Sequence, residues 1–242
     1  IRLLIEYDGS YFHGWQRQPG LMTVHDELRR VLQLVLKEPV SVIHASGRTD
    51  TGVHARGQVV CFDSSREVDL QRLTHSVSSL LKNKLSIIEA DYVPEDFHPR
   101  RSSRAKHYVY TILHRRAPAV LDRGRVWHVT RRLDIEKMQA EARKLVGRHD
   151  FSSFRGHSCG ARSPIKEIFS SEVEWEPPYL RYRVVGKGFL KQMVRNIVGT
   201  LVDLASGRLE ASSIEEVLEA RDRKKAGVTA PAHGLCLEKV EY

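Results

Sequence analysis

The feature that most constrains this chain is the order in which its hydrophobic period changes over residues 1–93. Residues 1–7, "IRLLIEY", have strand character and end at the turn signal "DGS". Thr23 then stands as an N-cap before a helix in which Val24, Leu28, Val31, Leu32, Val35 and Leu36 fall on one stripe. Residues 40–45 and 58–62 read as strands, residues 69–81 as a second helix, and "LSIIEADYV" as a further strand. Strand, helix, strand, strand, helix, strand is the order of a split βαβ, or ferredoxin-like, unit.

The second half repeats that order. "AKHYVYTILH" alternates as a strand, a helix begins at Asp134 in "DIEKMQAEARKLVG", and "IKEIFSSEVEWE" and "YLRYRVVGKG" pair across Pro177 and Pro178. "FLKQMVRNIVGTLVDLASG" reads as a helix ended by Gly207, followed by a short helix over residues 213–220 and a last strand, "GLCLEKVEY". The fold class expected is α+β: two ferredoxin-like (RRM-like) halves with antiparallel sheets flanked by helices, forming a basic central cleft. The boundary falls at the basic hinge "HPRRSSRAKH", giving halves 1–104 and 105–242.

With 242 residues, 41% of them hydrophobic, the chain can bury a full core, and its formal charge of +9 favours a polyanionic partner. Cys61, Cys159 and Cys236 are far apart and form no Cys-x-x-Cys pair, which suits a reducing cytoplasm and excludes a disulfide framework or a zinc knuckle. No apolar run approaches a membrane span, and "IRLLIEYDGS" turns polar too soon for a signal peptide. Basic residues concentrate in "HPRRSSRAKH", in "HRRAPAVLDRGRVWHVTRR" (Arg115, Arg116, Arg123, Arg125, Arg131 and Arg132) and in "RDRKK", residues 221–225. Three such runs on a +9 protein suggest a phosphate track.

Within this basic chain "GRTDTGVHARGQVVCF" carries Asp50 among Arg48, His54 and Arg56, on a connection longer than a hairpin needs. Asp50 reads either as a turn cap or as a functional acid. Gly47, Gly52 and Gly57 leave room for a substrate to approach the backbone.

"GRTDTGVHARGQV" resembles the signature of the TruA-type tRNA pseudouridine synthases, with Thr51 where that pattern usually has alanine. "IEYDGSYFHGWQRQ", "AKHYVYTI", "GFLKQMVRNIVG" and "APAHGLCLEKVEY" match further segments in order, so the resemblance spans essentially the whole chain. It implies that the chain breaks the N1–C1′ glycosidic bond of a uridine in RNA, rotates the base and rejoins it through C5, with no cofactor consumed and no metal. It also implies tRNA as substrate, with uridines 38 to 40 of the anticodon stem-loop as targets, and a homodimer.

The resemblance makes Asp50 the catalytic carboxylate, a group able to attack the sugar carbon or to stabilise positive charge there. Arg195 is the fixed cation expected to keep that carboxylate ionised. Tyr108 shares a strand face with Tyr110, and the resemblance favours Tyr108 as the one that stacks on uracil and serves the proton step at C5. The target base must leave its stack, and Arg48 is placed to fill the vacated space or hold the neighbouring phosphate. His54 and Arg56 read equally as RNA contacts or as loop-ordering groups. Arg100, Arg101, Arg104, Lys106 and Lys191 complete the candidate RNA contacts. The rival readings are a non-catalytic binder of structured RNA using the same cleft, which leaves Asp50 without work, and a metal-dependent nucleotide hydrolase, for which neither an HExxH motif nor a Mg²⁺-binding acid cluster is present.

Overall fold

In the computed structural model, which describes residues 1–242, the elements in chain order are β1 (Arg2–Tyr7), α1 (Val24–Leu36), β2 (His44–Ala45), β3 (His54–Cys61), α2 (Leu70–Leu80), β4 (Leu85–Asp91), β5 (Ala105–Leu113), β6 (Trp127–His128), α3 (Ile135–Arg143), β7 (Gly147–Asp150), β8 (Ile165–Glu176), β9 (Tyr179–Gly186), α4 (Met193–Ala205), α5 (Ile214–Ala220) and β10 (Leu235–Glu241). The fold is mixed α+β, with five α-helices and mostly antiparallel strand pairing. It divides into two compact units, Ile1–Arg104 with Cys236–Tyr242, and Ala105–Leu235.

In the first unit β1 lies between β4 and β3, antiparallel to both. The other edge of β3 is shared: β2 pairs antiparallel with Cys61 and Val60, and β10 pairs parallel with His54 and Ala55. The closing strand, grouped by sequence with residues 105–242, clusters with the first unit, where it pairs with β3.

Helix α1 starts where the sequence places it, with the Thr23 hydroxyl accepting from Asp26 N–H. Val24, Leu28, Val31, Leu32 and Leu36 are buried, while Val35 stays half-buried. Asp69 caps α2 in the same way, and α2 packs on α1 and β4. The strand expected over residues 40–45 shrinks to His44–Ala45, and the Val40 carbonyl accepts from Arg29 Nε at 2.7 Å. At its other end the loop is shorter than expected, because β3 begins at His54 instead of Gln58.

In the second unit the strand order is β6-β5-β9-β8-β7. β5 and β9 pair antiparallel from Lys106–Gly186 to Leu113–Tyr179, and the β8–β9 hairpin turns at Pro177–Pro178, a cis peptide. β6 and β7 have no counterpart in the sequence reading; at two and four residues they are too short to show a period.

Helix α4 starts at Met193, not at Phe189. Gln192 has a φ of 60°, and the preceding Lys191 carbonyl accepts from Gly156 N–H at 2.9 Å, so the run enters the helix only after this turn. α4 packs on α3 and is buried along nearly all its length. A strap over residues 223–231 crosses it so closely that a Cβ on Gly199 would sit 1.6 Å from the Val228 carbonyl oxygen.

Helix propensity alone would make Gly199→Ala stabilising by roughly 0.5–1 kcal/mol. The strap reverses the sign: the variant is expected to lose about 3 kcal/mol, since backbone must move to admit the methyl. Chemical denaturation measures this, and an unchanged or raised midpoint would contradict the close crossing.

Candidate active site

Asp50 sits in the loop over residues 46–53, between β2 and β3, and is half-buried, with Arg48 and Thr51 exposed on either side. Its carbonyl accepts from Val53 N–H at 3.1 Å, closing a tight turn, and Gly52 N–H reaches the Phe12 carbonyl at 3.4 Å. His54 is only 5% exposed. Its Nδ1 lies 3.0 Å from Gly9 N, which donates to it, and 3.2 Å from Asp8 Oδ1, so the ring ties the start of β3 to the turn after β1. That is the loop-ordering alternative, and the ring is not available at the surface. Arg56 is exposed and pairs with Glu238 on β10 at 3.3 Å, a surface ion pair of small energetic weight.

Arg100, Arg101 and Arg104 are all exposed. The first two are held by a histidine: the Arg100 and Arg101 N–H groups donate to His98 Nδ1 at 3.1 and 3.4 Å, and Ser102 N–H returns to the His98 carbonyl at 2.8 Å. His98 also lies against His44, ring centroids 4.8 Å apart. Partial burial, then the Arg101 charge, His44 and Arg100, hold its imidazole below the usual histidine range. Arg104 N–H is tied to the Glu241 carbonyl at 2.7 Å.

In the second unit Lys106, Tyr108 and Tyr110 share one face of β5, as period 2 requires. Tyr110 is a core residue: it is fully buried and its hydroxyl donates to the Pro231 carbonyl at 2.8 Å. Burial raises its phenol far above the ordinary value, with Arg195 pulling the other way. Tyr108 is 8% exposed and meets the Phe189 ring edge-to-face at 5.2 Å. Lys106, read as an RNA contact, is also 8% exposed, because it falls on the same inward face. Lys191 is exposed on the turn before α4.

Arg195 is half-buried on an otherwise buried helix, and its Nε donates to the Ala230 carbonyl at 2.8 Å while Ala230 N–H donates back to the Arg195 carbonyl at 3.1 Å. The strap is therefore seated on the arginine that sequence singles out.

Two of the arginines read as part of a phosphate track are internal. Arg223 donates to Asn196 Oδ1, Thr229 Oγ1 and the Gly227 carbonyl at 3.2, 2.9 and 2.9 Å, clamping the strap to α4. Arg131 pairs with the buried Asp203 at 2.9 Å, and Asp203 also accepts from Val228 N–H at 3.0 Å. Burial lowers both guanidinium pKa values. Arg115, Arg116, Arg123 and Arg125 are exposed around a loop tip at Val120 and Leu121.

Matches to known proteins agree over the full length. A family model described as tRNA pseudouridine synthase matches residues 3–100 and 142–242. The chain belongs to the tRNA pseudouridine synthase family. These are isomerases that act on tRNA. A tRNA pseudouridine synthase A of Myxococcus xanthus is 44% identical over 100% of this chain and 91% of its own, and one of Citrifermentans bemidjiense is 41% identical over 100% and 97%. For this tRNA pseudouridine synthase, Arg48 and Arg56 near Asp50 and Arg100, Arg101 and Arg104 of the hinge are exposed. No helix is long and apolar enough to cross a membrane.

The His98 environment has a measurable sign. Its folded pKa lies below the unfolded value near 6.5, so the stabilisation it contributes is present above that pH and is lost as pH falls through the folded value. NMR titration is expected to give a His98 midpoint below 6.5 that rises in Arg101→Gln. A midpoint at or above 6.5 would contradict the described environment.

Proposed function

We propose that this enzyme isomerises uridine to pseudouridine at positions 38 to 40 of the tRNA anticodon stem-loop, with Asp50 as the catalytic carboxylate acting on a flipped-out target nucleotide. Cleavage of the N1–C1′ bond develops positive charge on the sugar, and a fixed carboxylate stabilises it or bonds to it. The bonding pair leaves with N1; rotation then presents C5, the C5–C1′ bond forms, and the C5 proton is removed while N1 takes one up, so that protons balance over the isomerisation. Tyr108 serves uracil stacking and the proton step, and Arg195 supplies the fixed cation of the reaction.

Arg48, Arg100, Arg101, Arg104 and Lys191 are the RNA contacts in this reading, with Arg48 replacing the flipped base; Arg56 is an accessory contact. His54 and Lys106 are assigned no RNA contact, since both are buried. The enzyme works as a cytoplasmic homodimer, each unit built on a ferredoxin-like half. Full-length kinship with tRNA pseudouridine synthases carries the reading, and the half-buried setting of Asp50 among exposed cations supports its assignment.

Incubating unmodified tRNA with the Asp50→Asn protein and mapping pseudouridine chemically tests this. The variant is expected to form none while its tRNA affinity stays within roughly tenfold, about 1.4 kcal/mol. Retained turnover would overturn the assignment of Asp50, and modification elsewhere in the tRNA would overturn the assignment of the stem-loop.

A further inference from the structure

The quoted motif contains two polar residues that the reaction leaves unused, Thr49 and Gln58, and both are buried, at 7% and 0% exposure. With Ser46 and Tyr7, at 0% and 4%, they form two buried hydrogen-bonded pairs beneath the Asp50 loop, Tyr7 with Thr49 and Ser46 with Gln58. The Tyr7 hydroxyl lies 2.8 Å from Thr49 Oγ1. Gln58 Nε2 donates to the Gly47 carbonyl at 3.0 Å. Ser46 Oγ donates to Gln58 Oε1 at 2.6 Å. The two pairs therefore grip the loop at residues 46, 47 and 49 from two strands, β1 and β3.

A second grip comes from above. Trp15 N–H donates to the Thr49 carbonyl at 3.1 Å, and Gly14, at a φ of +83°, passes so close that a Cβ there would lie 2.8 Å from that same oxygen and 3.1 Å from the Asp50 carbonyl carbon. Thr49 is thus fixed by its side chain and its backbone, one residue before Asp50. Desolvation pushes the Tyr7 phenol up to about 12, so it stays a neutral hydroxyl at working pH.

A loop filled only by apolar side chains would hold its residues at the right depth but not in one register. Buried hydroxyls and amides penalise every arrangement that leaves one of them unpaired, and so select a single loop geometry. We infer that Tyr7 and Thr49 are positioning residues for Asp50, their buried hydroxyl pair fixing where the carboxylate stands relative to the reacting sugar. This rests on Asp50 being the catalytic carboxylate.

The test is the single-turnover rate of pseudouridine formation at saturating enzyme, well below the melting temperature, with tRNA Kd measured alongside. Thr49→Val keeps the shape and removes the hydroxyl, and Thr49→Ser keeps the hydroxyl. Thr49→Val and Tyr7→Phe are each expected to slow the step by about 10- to 100-fold with Kd within about twofold, the double variant being no slower than the worse single one. Thr49→Ser is expected to stay within about threefold of the unaltered enzyme.

A rate within twofold in both Thr49→Val and Tyr7→Phe would overturn the inference, as would equal losses in Thr49→Ser and Thr49→Val. If Thr49→Val fails to fold, the Tyr7→Phe rate decides alone. Asp50→Asn, run in parallel, separates the two claims. Its full activity would remove the catalytic reading itself, whereas its silence beside fully active Thr49→Val and Tyr7→Phe would remove only the positioning.

Discussion

A phenol and a threonine hydroxyl 2.8 Å apart, sealed beneath a glycine-rich loop, fix the position of the acid that the first unit presents. The constraint is severe because both groups are out of water. Each must keep its partner or bear a desolvation cost of about 1–3 kcal/mol. The surrounding chain is arranged around that requirement: Gly14 brings its backbone against the loop, and His54 pins the start of β3 to the turn after β1. Arg48 and Thr51 remain at the surface, and Asp50 stands between them at the rim.

The second unit solves a similar problem with charged groups. Its strap over residues 223–231 lies on α4 through Arg223, Asn196, Thr229 and Asp203, and it takes Arg195 as its anchor at Ala230. A guanidinium held by a backbone carbonyl has little freedom left, which suits a group assigned to fixed electrostatics. The +9 charge is therefore not all available for RNA. Arg131 and Arg223 are spent on internal contacts, while the hinge arginines and those near the Val120–Leu121 tip face solvent.

Much of this was legible in the chain itself. Thr23, Asp69, Asp134 and Ser213 announce their helices because capping is local, and the β8–β9 hairpin is visible from alternation on both sides of two prolines. The Asp50 loop was visible as an acid in basic company. What stayed hidden is nonlocal. A two-position parallel pairing attaches β10 to β3 and leaves no periodic trace, and α4 begins late because Gly156, far away in sequence, occupies the Lys191 carbonyl. Lys106 reads as an RNA contact, yet it falls on an inward strand face, and His54, which reads equally as an RNA contact or a loop-ordering group, is buried against Asp8 and Gly9. The Thr49–Tyr7 contact spans 42 residues, and neither residue alone signals it.

Position, then, matters as much as charge at residue 50, and Asp50→Glu separates the two. The substitution keeps the carboxylate and displaces it by one methylene on an unaltered loop. Its single-turnover rate of pseudouridine formation should fall by at least about 100-fold, as expected when a reacting group is misplaced by roughly 1 Å. A rate within tenfold of the unaltered enzyme would show that any nearby carboxylate suffices, and that the buried brace beneath the loop does not govern the chemistry.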